Sequence, residues 1–225
     1  MVRITGATHA TVSLSGNLSP KERVQGLIPD VHFMPYPYEY QRPFGIGGKD
    51  SHRISSSYIE RVLNDPESGI LPPAGMIFEA VQGEGGSIPA SIEWMKEMRR
   101  ITKEKGIPLI IDEVQSGIGR TGKMFAFEHA GIIPDVIVLS KAIGGSLPLS
   151  VVIYDQDLDQ WNQVHTLGPL EEIKWRWSLG TATLKFIKET NLLDHVERLG
   201  RSYAGASKRH PKNKSLLLVM FEGEV

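Results

Sequence analysis

IPLIIDEVQSG (Ile107–Gly117) and DVIVLSKAIGG (Asp135–Gly145) decide the fold. Each begins as a short apolar run and ends in a polar side chain, Asp112 in the first and Lys141 in the second. Runs of this length, bounded by glycine and turn residues, read as strands buried in a parallel sheet. Outward from them, GMIFEA (Gly75–Ala80) reads as another buried strand, followed by the glycine-rich turn QGEGG (Gln82–Gly86). Pro89 and Ser91 open an amphipathic helix that runs to about Lys105 and stops at Gly106. Its apolar residues Ile92, Met95, Met98 and Ile101 recur at three-residue spacing. Strand, helix, strand, loop, strand is the rhythm of an α/β fold, with a mostly parallel sheet and helices on both faces.

The remaining segments are less sharply marked. Ala10–Leu14 reads as a strand, Ser56–Asn64 as a helix and Met124–His129 as a short helical patch. Leu147–Tyr154 reads as a further strand, and a helical pattern runs from Leu179 to Ser207. Residues 28–50, rich in Pro, Tyr and Gly, read as a long irregular loop of the kind that is usually functional or disordered.

The bulk numbers exclude several function classes. The chain has 225 residues, 40% of them apolar, so a full core can form. With 25 basic and 26 acidic residues the net charge is −1, which gives no electrostatic footprint for nucleic acid and no reason to expect a membrane partner. There are no cysteines, so disulfides and thiolate chemistry are excluded. No apolar run reaches membrane-spanning length, and MVRITGATHA at the N-terminus has no apolar signal core, so the expected location is cytoplasmic. The seven histidines show no metal spacing, and no metal is expected.

The chemistry is expected where the strands end, since the carboxyl ends of parallel strands are where an α/β sheet places its ligands. Asp112 alone reads as a turn cap and Lys141 alone as a solvated lysine; together, each closing an apolar strand, they suit a pyridoxal phosphate enzyme. In such enzymes a lysine binds the cofactor covalently and an acid keeps the pyridine nitrogen protonated, so that the ring acts as an electron sink. Gly144 and Gly145 behind the lysine would let backbone approach a ligand closely. GIGRTG (Gly117–Gly122) matches the G-x-G-x-x-G string of dinucleotide sites, but it neither directly follows a strand nor opens a helix, and it carries no such assignment. Glu79 and Glu84 flank the QGEGG turn, either as a buried paired acid and a solvated one or as acids near the cofactor.

These motifs, in this order and spacing, resemble class III aminotransferases, pyridoxal phosphate enzymes of fold type I. The resemblance is carried by FEAVQGEGGSIPA, IIDEVQSGIGRTGKMFAFEHAG, PDVIVLSKAIGGSLPLS and LDQW, and runs from Ala7 to Trp161. The stretches around SGNLSPKERVQGLIPDVHFMPYPYEY and ESGILPPAG look most like diaminobutyrate–2-oxoglutarate transaminases. The resemblance implies a fold type I large domain over residues 1–177, truncated at both ends, then a connecting helix and the start of a small domain over 178–225.

It also implies roles. Lys141 would be the Schiff-base lysine and proton shuttle, Asp112 the partner of the pyridinium nitrogen, and Gln115 the partner of the ring's phenolic oxygen. Glu84 would gate an arginine that binds the substrate, and Glu79 would be a supporting acid. The implied reaction moves an amino group between L-2,4-diaminobutyrate, or a similar omega-amino compound, and 2-oxoglutarate or glutamate, in a homodimer. The alternatives are a catalytically inactive remnant of such an enzyme, or another class III type acting on acetylornithine, ornithine or 4-aminobutyrate.

Three segments depart from the pattern. Where the resemblance implies G-T-F-R-G-N-Q, the chain has LGPLEEIKWRW (Leu167–Trp177). One codon choice for Gly168–Trp177 gives T-F-R-G-N-Q-M-A-M when read from its third base. Val219–Val225 gives N-V-R-G-R-G, and Arg3–Gly6 gives Tyr-His-Gly, in the same way. The expectation is that segments 1–6, 167–177 and 211–225 are out of frame; the alternative is genuine insertion.

Overall fold

The computed structural model describes Gly6, Gly45 and residues 8–38, 50–145, 147–160 and 174–209. In chain order the elements are helices α1 (His9–Leu14), α2 (Leu18–Lys21) and α3 (Ser51–Asn64), then strands β1 (Met76–Glu79), β2 (Val81–Gln82) and β3 (Ile88–Pro89). Helix α4 (Ile92–Glu104), strands β4 (Leu109–Asp112), β5 (Val136–Leu139) and β6 (Val151–Tyr154), and helices α5 (Lys174–Glu189) and α6 (Leu192–Arg209) follow. The main sheet runs β1-β4-β5-β6; β1, β4 and β5 are parallel and β6 is antiparallel to β5. This is the mixed, mostly parallel sheet expected of the fold. β2 and β3 form a separate hairpin around the QGEGG turn.

One side of the sheet is closed by helices. Successive side chains of a strand point to opposite faces. Phe78, Leu109 and Ile111 therefore share the face that meets α4, and they are almost fully buried with Trp94, Met98 and Ile101. The rings of Phe78 and Trp94 meet edge to face at 4.9 Å. Helix α4 starts where the sequence places it, because the Ser91 hydroxyl accepts from the Trp94 N–H and caps it. Behind it, Arg100 of α4 reaches Glu60 of α3 as well as Glu97 and Glu104, an exposed cluster that adds little stability.

The start of β5 is fixed by charge. Asp135 Oδ2 accepts from Arg99 Nη1 at 2.6 Å and from the Leu109 N–H at 2.7 Å, locking β5, β4 and α4 in register. Partial burial raises this carboxyl, but the hydrogen bonds from Arg99 and Leu109 outweigh it and hold Asp135 below the usual aspartate range.

The opposite face carries Glu79 and Asp112 at the strand ends, above the half-buried Ile77, Ile110, Val136 and Val138. α5 and α6 pack beside the β5 end: Ile187 joins Leu139, Ile143 and Leu149 in a second core, with Leu192 and Leu193 against it. A side chain at Gly180 of α5 would press on Leu149 and the Ile143 carbonyl.

Three sequence expectations change, one being that the strand read over Leu147–Tyr154 starts only at Val151. Ala10–Leu14 lies in helix α1, not a strand, because Thr8 and Thr11 close a capping box ahead of it. The long helical pattern after Leu179 is two helices, broken at Thr190-Asn191, where Asn191 takes a left-handed φ of 49°. GIGRTG is a tight turn with left-handed φ at Ile118, Gly119 and Gly122, not a strand-to-helix phosphate loop. Most of the three segments expected to be out of frame lies outside the described residues. Gly6 and Lys174–Trp177 are the exceptions; Lys174–Trp177 forms the first turn of α5, with Trp175 and Trp177 about half exposed. Among the described residues no helix is long and apolar enough to cross a membrane.

Candidate functional site

The sheet register places two acids side by side. Glu79 ends β1, Asp112 ends β4, and the two are partners in the parallel ladder. Both are 3% exposed. Asp112 is held by its own turn, its Oδ1 accepting from the Val114 N–H at 3.0 Å. Glu79 Oε2 accepts from the Gly83 N–H at 3.0 Å, which ties the strand end to the QGEGG hairpin.

The next strand delivers Lys141. Val138 of β5 is in register with Asp112, so Lys141 stands three residues further along, on the same carboxyl edge of the sheet. The Ser140 hydroxyl donates to the Leu149 carbonyl at 2.9 Å and anchors the residue before the lysine. Lys141 then opens a single 3-10 turn with a left-handed φ of 50°. That conformation is costly for a residue with a Cβ, and such strain concentrates at functional sites. The turn closes under Gly144, where a side chain would meet Leu149 at 3.1 Å, and the lysine side chain is left exposed.

Gln115 and Glu84 meet across 31 positions of sequence. Gln115 Nε2 donates to Glu84 Oε1 at 2.8 Å, joining the turn after Asp112 to the tip of the hairpin. Asp112, Gln115, Glu84 and Glu79 therefore form one connected group, and Lys141 reaches the same edge from the neighbouring strand.

Glu113 and Tyr36 were not legible as part of this arrangement. Glu113 follows Asp112 and points the other way, 1% exposed. Its Oε2 accepts from the Ser116 hydroxyl at 2.6 Å and its Oε1 from the Phe127 N–H at 3.0 Å, while its carbonyl accepts from the Gly117 N–H. It thus shapes the turn that carries Gln115. Burial raises its carboxyl above the ordinary range, and the Ser116 and Phe127 hydrogen bonds only partly offset this. The sequence signal was the serine three residues after an acid at a strand end, a spacing that lets a carboxylate close on a hydroxyl. Tyr36 supports the hairpin from below: its buried hydroxyl donates toward the carbonyls of Glu79 and Ala80, at 3.0 and 3.2 Å. Trp94 Nε1 donates to Ser55 Oγ, which donates to the Pro35 carbonyl and pins the Tyr36 loop to α3. His129 Nε2 lies 3.1 Å from Thr121 Oγ1.

A lysine on a strained turn, a buried acid ending the adjacent strand and a carboxamide on the turn after that acid form a donor set that fits pyridoxal phosphate. The carboxylate suits a pyridinium N–H, the carboxamide a phenolic oxygen and the amine a carbonyl carbon.

Comparison with known proteins shows the family and the fold. Residues 4–213 match the family described as "Aminotransferase class-III". The chain is 52% identical over 196 residues to the diaminobutyrate–2-oxoglutarate aminotransferase of Rhizobium meliloti (strain 1021), covering 87% of this chain and 42% of that protein. It is 43% identical over 210 residues to the enzyme of the same name from Haemophilus influenzae, covering 92% and 46%. Among solved structures, the fold matches an ornithine aminotransferase from Toxoplasma gondii at a TM-score of 0.75, with 24% identity, covering 94% of this chain and 46% of that one. The chain spans about half the length of the curated relatives it matches.

Proposed function

This chain belongs to the class III aminotransferases, and from that premise we propose that its strand-end edge is the pyridoxal phosphate site of a transaminase using L-2,4-diaminobutyrate and 2-oxoglutarate. The observation that carries the reading is the delivery of Asp112 and Lys141 to one edge by adjacent parallel strands. When bound, the cofactor would supply an electron sink that makes the C–H proton beside the attached nitrogen labile. Lys141 would hold the cofactor through its Nζ and, once the substrate amine has displaced that Nζ, would move the proton with it. Asp112, kept from water, keeps the ring nitrogen protonated. Gln115 donates to the phenolic oxygen, and Glu84, already its partner, faces incoming substrate. Glu79 fixes the hairpin on which Glu84 sits.

The choice of diaminobutyrate rests on the names of the relatives, and the homodimer and cytoplasmic setting rest on the resemblance. A second reading, a polypeptide that keeps the cofactor edge without turnover, is favoured by one observation: LGPLEEIKWRW stands where the resemblance implies a phosphate-binding threonine.

Glutamate formation decides between them. With cofactor, 2-oxoglutarate and L-2,4-diaminobutyrate, the expected result is glutamate that depends on all three. Faster turnover with ornithine, N-acetylornithine or 4-aminobutyrate would overturn the donor assignment. Bound cofactor with no glutamate from any donor would establish the second reading.

A further inference from the structure

The glycines of QGEGG serve three different purposes, and one of them acts on the site. Gly86 has a φ of 121°, which a side chain rarely adopts, so it is needed for the backbone. Gly85 makes room for Gln82, whose Oε1 lies 2.9 Å from where a Cβ would sit. Gly83 does not need the first explanation, because its φ is not left-handed, and the side chain it makes room for is a site residue. A Cβ at Gly83 would instead overlap the Oε1 and Cδ atoms of Gln115 and come within 3.0 Å of its Nε2.

We infer that Gly83 is a positioning residue: the missing side chain is the space in which the Gln115 carboxamide stands, and that space sets the Gln115–Glu84 pair. The hairpin backbone cannot move aside. The Gly83 N–H donates to Glu79 Oε2, and the Gly83 carbonyl accepts from the Gly86 and Ser87 N–H groups, both at 3.1 Å. The carboxamide is the free end of a flexible side chain on a half-buried residue. A methyl at position 83 therefore leaves the fold standing and evicts the carboxamide. The bond from Gln115 Nε2 to Glu84 Oε1, 2.8 Å long, is lost with it. The geometry is independent of the cofactor; only its consequence for cofactor binding rests on the reading above.

The test uses the full chain, first without cofactor. In a nitrogen-15 spectrum the Gln115 side-chain amide is assigned by its disappearance in Gln115→Ala. The expected result is that Gly83→Ala moves these resonances to the position of a solvated glutamine, with the thermal midpoint within about 2 °C of the parent. Unmoved amide resonances, or a collapsed melt, would overturn the inference, because the neighbour that must yield would then not be the carboxamide. Pyridoxal phosphate affinity is measured second. Gly83→Ala should weaken it roughly tenfold, the scale of one hydrogen bond, and by less than about twofold in a Gln115→Ala background. An equal effect in both backgrounds would also overturn it. If the parent chain bound no cofactor, the functional reading would fail while the amide spectrum would still decide the role of Gly83.

Discussion

Lys141→Ala will abolish transamination and covalent cofactor capture together, while leaving the fold intact. The lysine side chain is exposed and sits on a turn whose packing is made by Ile143, Gly144 and Leu149, not by the lysine itself. Alanine would tolerate the left-handed φ about as well as lysine does, so little stability is at stake. The cofactor's visible absorbance should be absent from the purified variant, and glutamate formation should fall to the cofactor-free blank. A Lys141→Ala variant that kept the parent's turnover would mean that the chemistry belongs to another amine.

Glu113→Ala will cost about 3 kcal/mol of folding stability, the largest loss expected from a single polar side chain at this edge. It leaves the buried Phe127 N–H and the Ser116 hydroxyl without their acceptor and opens a void in a region with 1% exposure. Glu113→Gln should be far milder, since an amide oxygen still accepts from Phe127 and its NH2 can donate to Ser116.

The pH dependence separates charge from shape. Burial lifts the Glu113 carboxyl in the folded chain, and nearby Asp112 adds to the rise. An acid whose folded pKa lies above its unfolded value near 4.5 favours folding most below that value. That contribution is lost as pH climbs from there through the raised folded value. In this window Glu113→Gln should flatten the fall in stability seen in the parent. Urea midpoints at a series of pH values check it; parallel curves for parent and Gln variant would show that Glu113 titrates normally.

Much of the edge was legible because its signals are local. β5 occupies the apolar run VIVL within the quoted DVIVLSKAIGG, because Asp135 and the Ser-Lys pair flank that run. α4 was read within a residue or two, because a serine cap and a closing glycine bracket an apolar stripe. β4 starts at Leu109 and not at Ile107: Ile107 turns back so that its N–H meets the Thr102 carbonyl, and Pro108 has no N–H to give. The α1 segment, HATVSL, is too short for its pattern to separate helix from strand, and the Thr8 cap decided it. Leu147–Ser150 was read as strand, but Leu149 is drawn into the core beneath Gly144 and Gly180, so β6 starts only at Val151.

The unread part of the site is its long-range closure. Gln115 and Glu84 were each named, but nothing near either position in the chain states that they touch. Only the parallel register of β1 and β4 brings the two turns together. Glu113 was passed over for a related reason. Beside Asp112 it looks like one more solvated acid, and its burial depends on Phe127, fourteen residues on.

The central claim is that the cofactor amine is Lys141, and chemical trapping tests it most directly. Protein mixed with pyridoxal phosphate is reduced with borohydride, digested and mapped by mass. The predicted result is a single dominant pyridoxyl label on the peptide that contains Lys141, absent from Lys141→Ala. Label spread evenly over exposed lysines such as Lys96, Lys103 and Lys123, and unchanged in Lys141→Ala, would contradict the account.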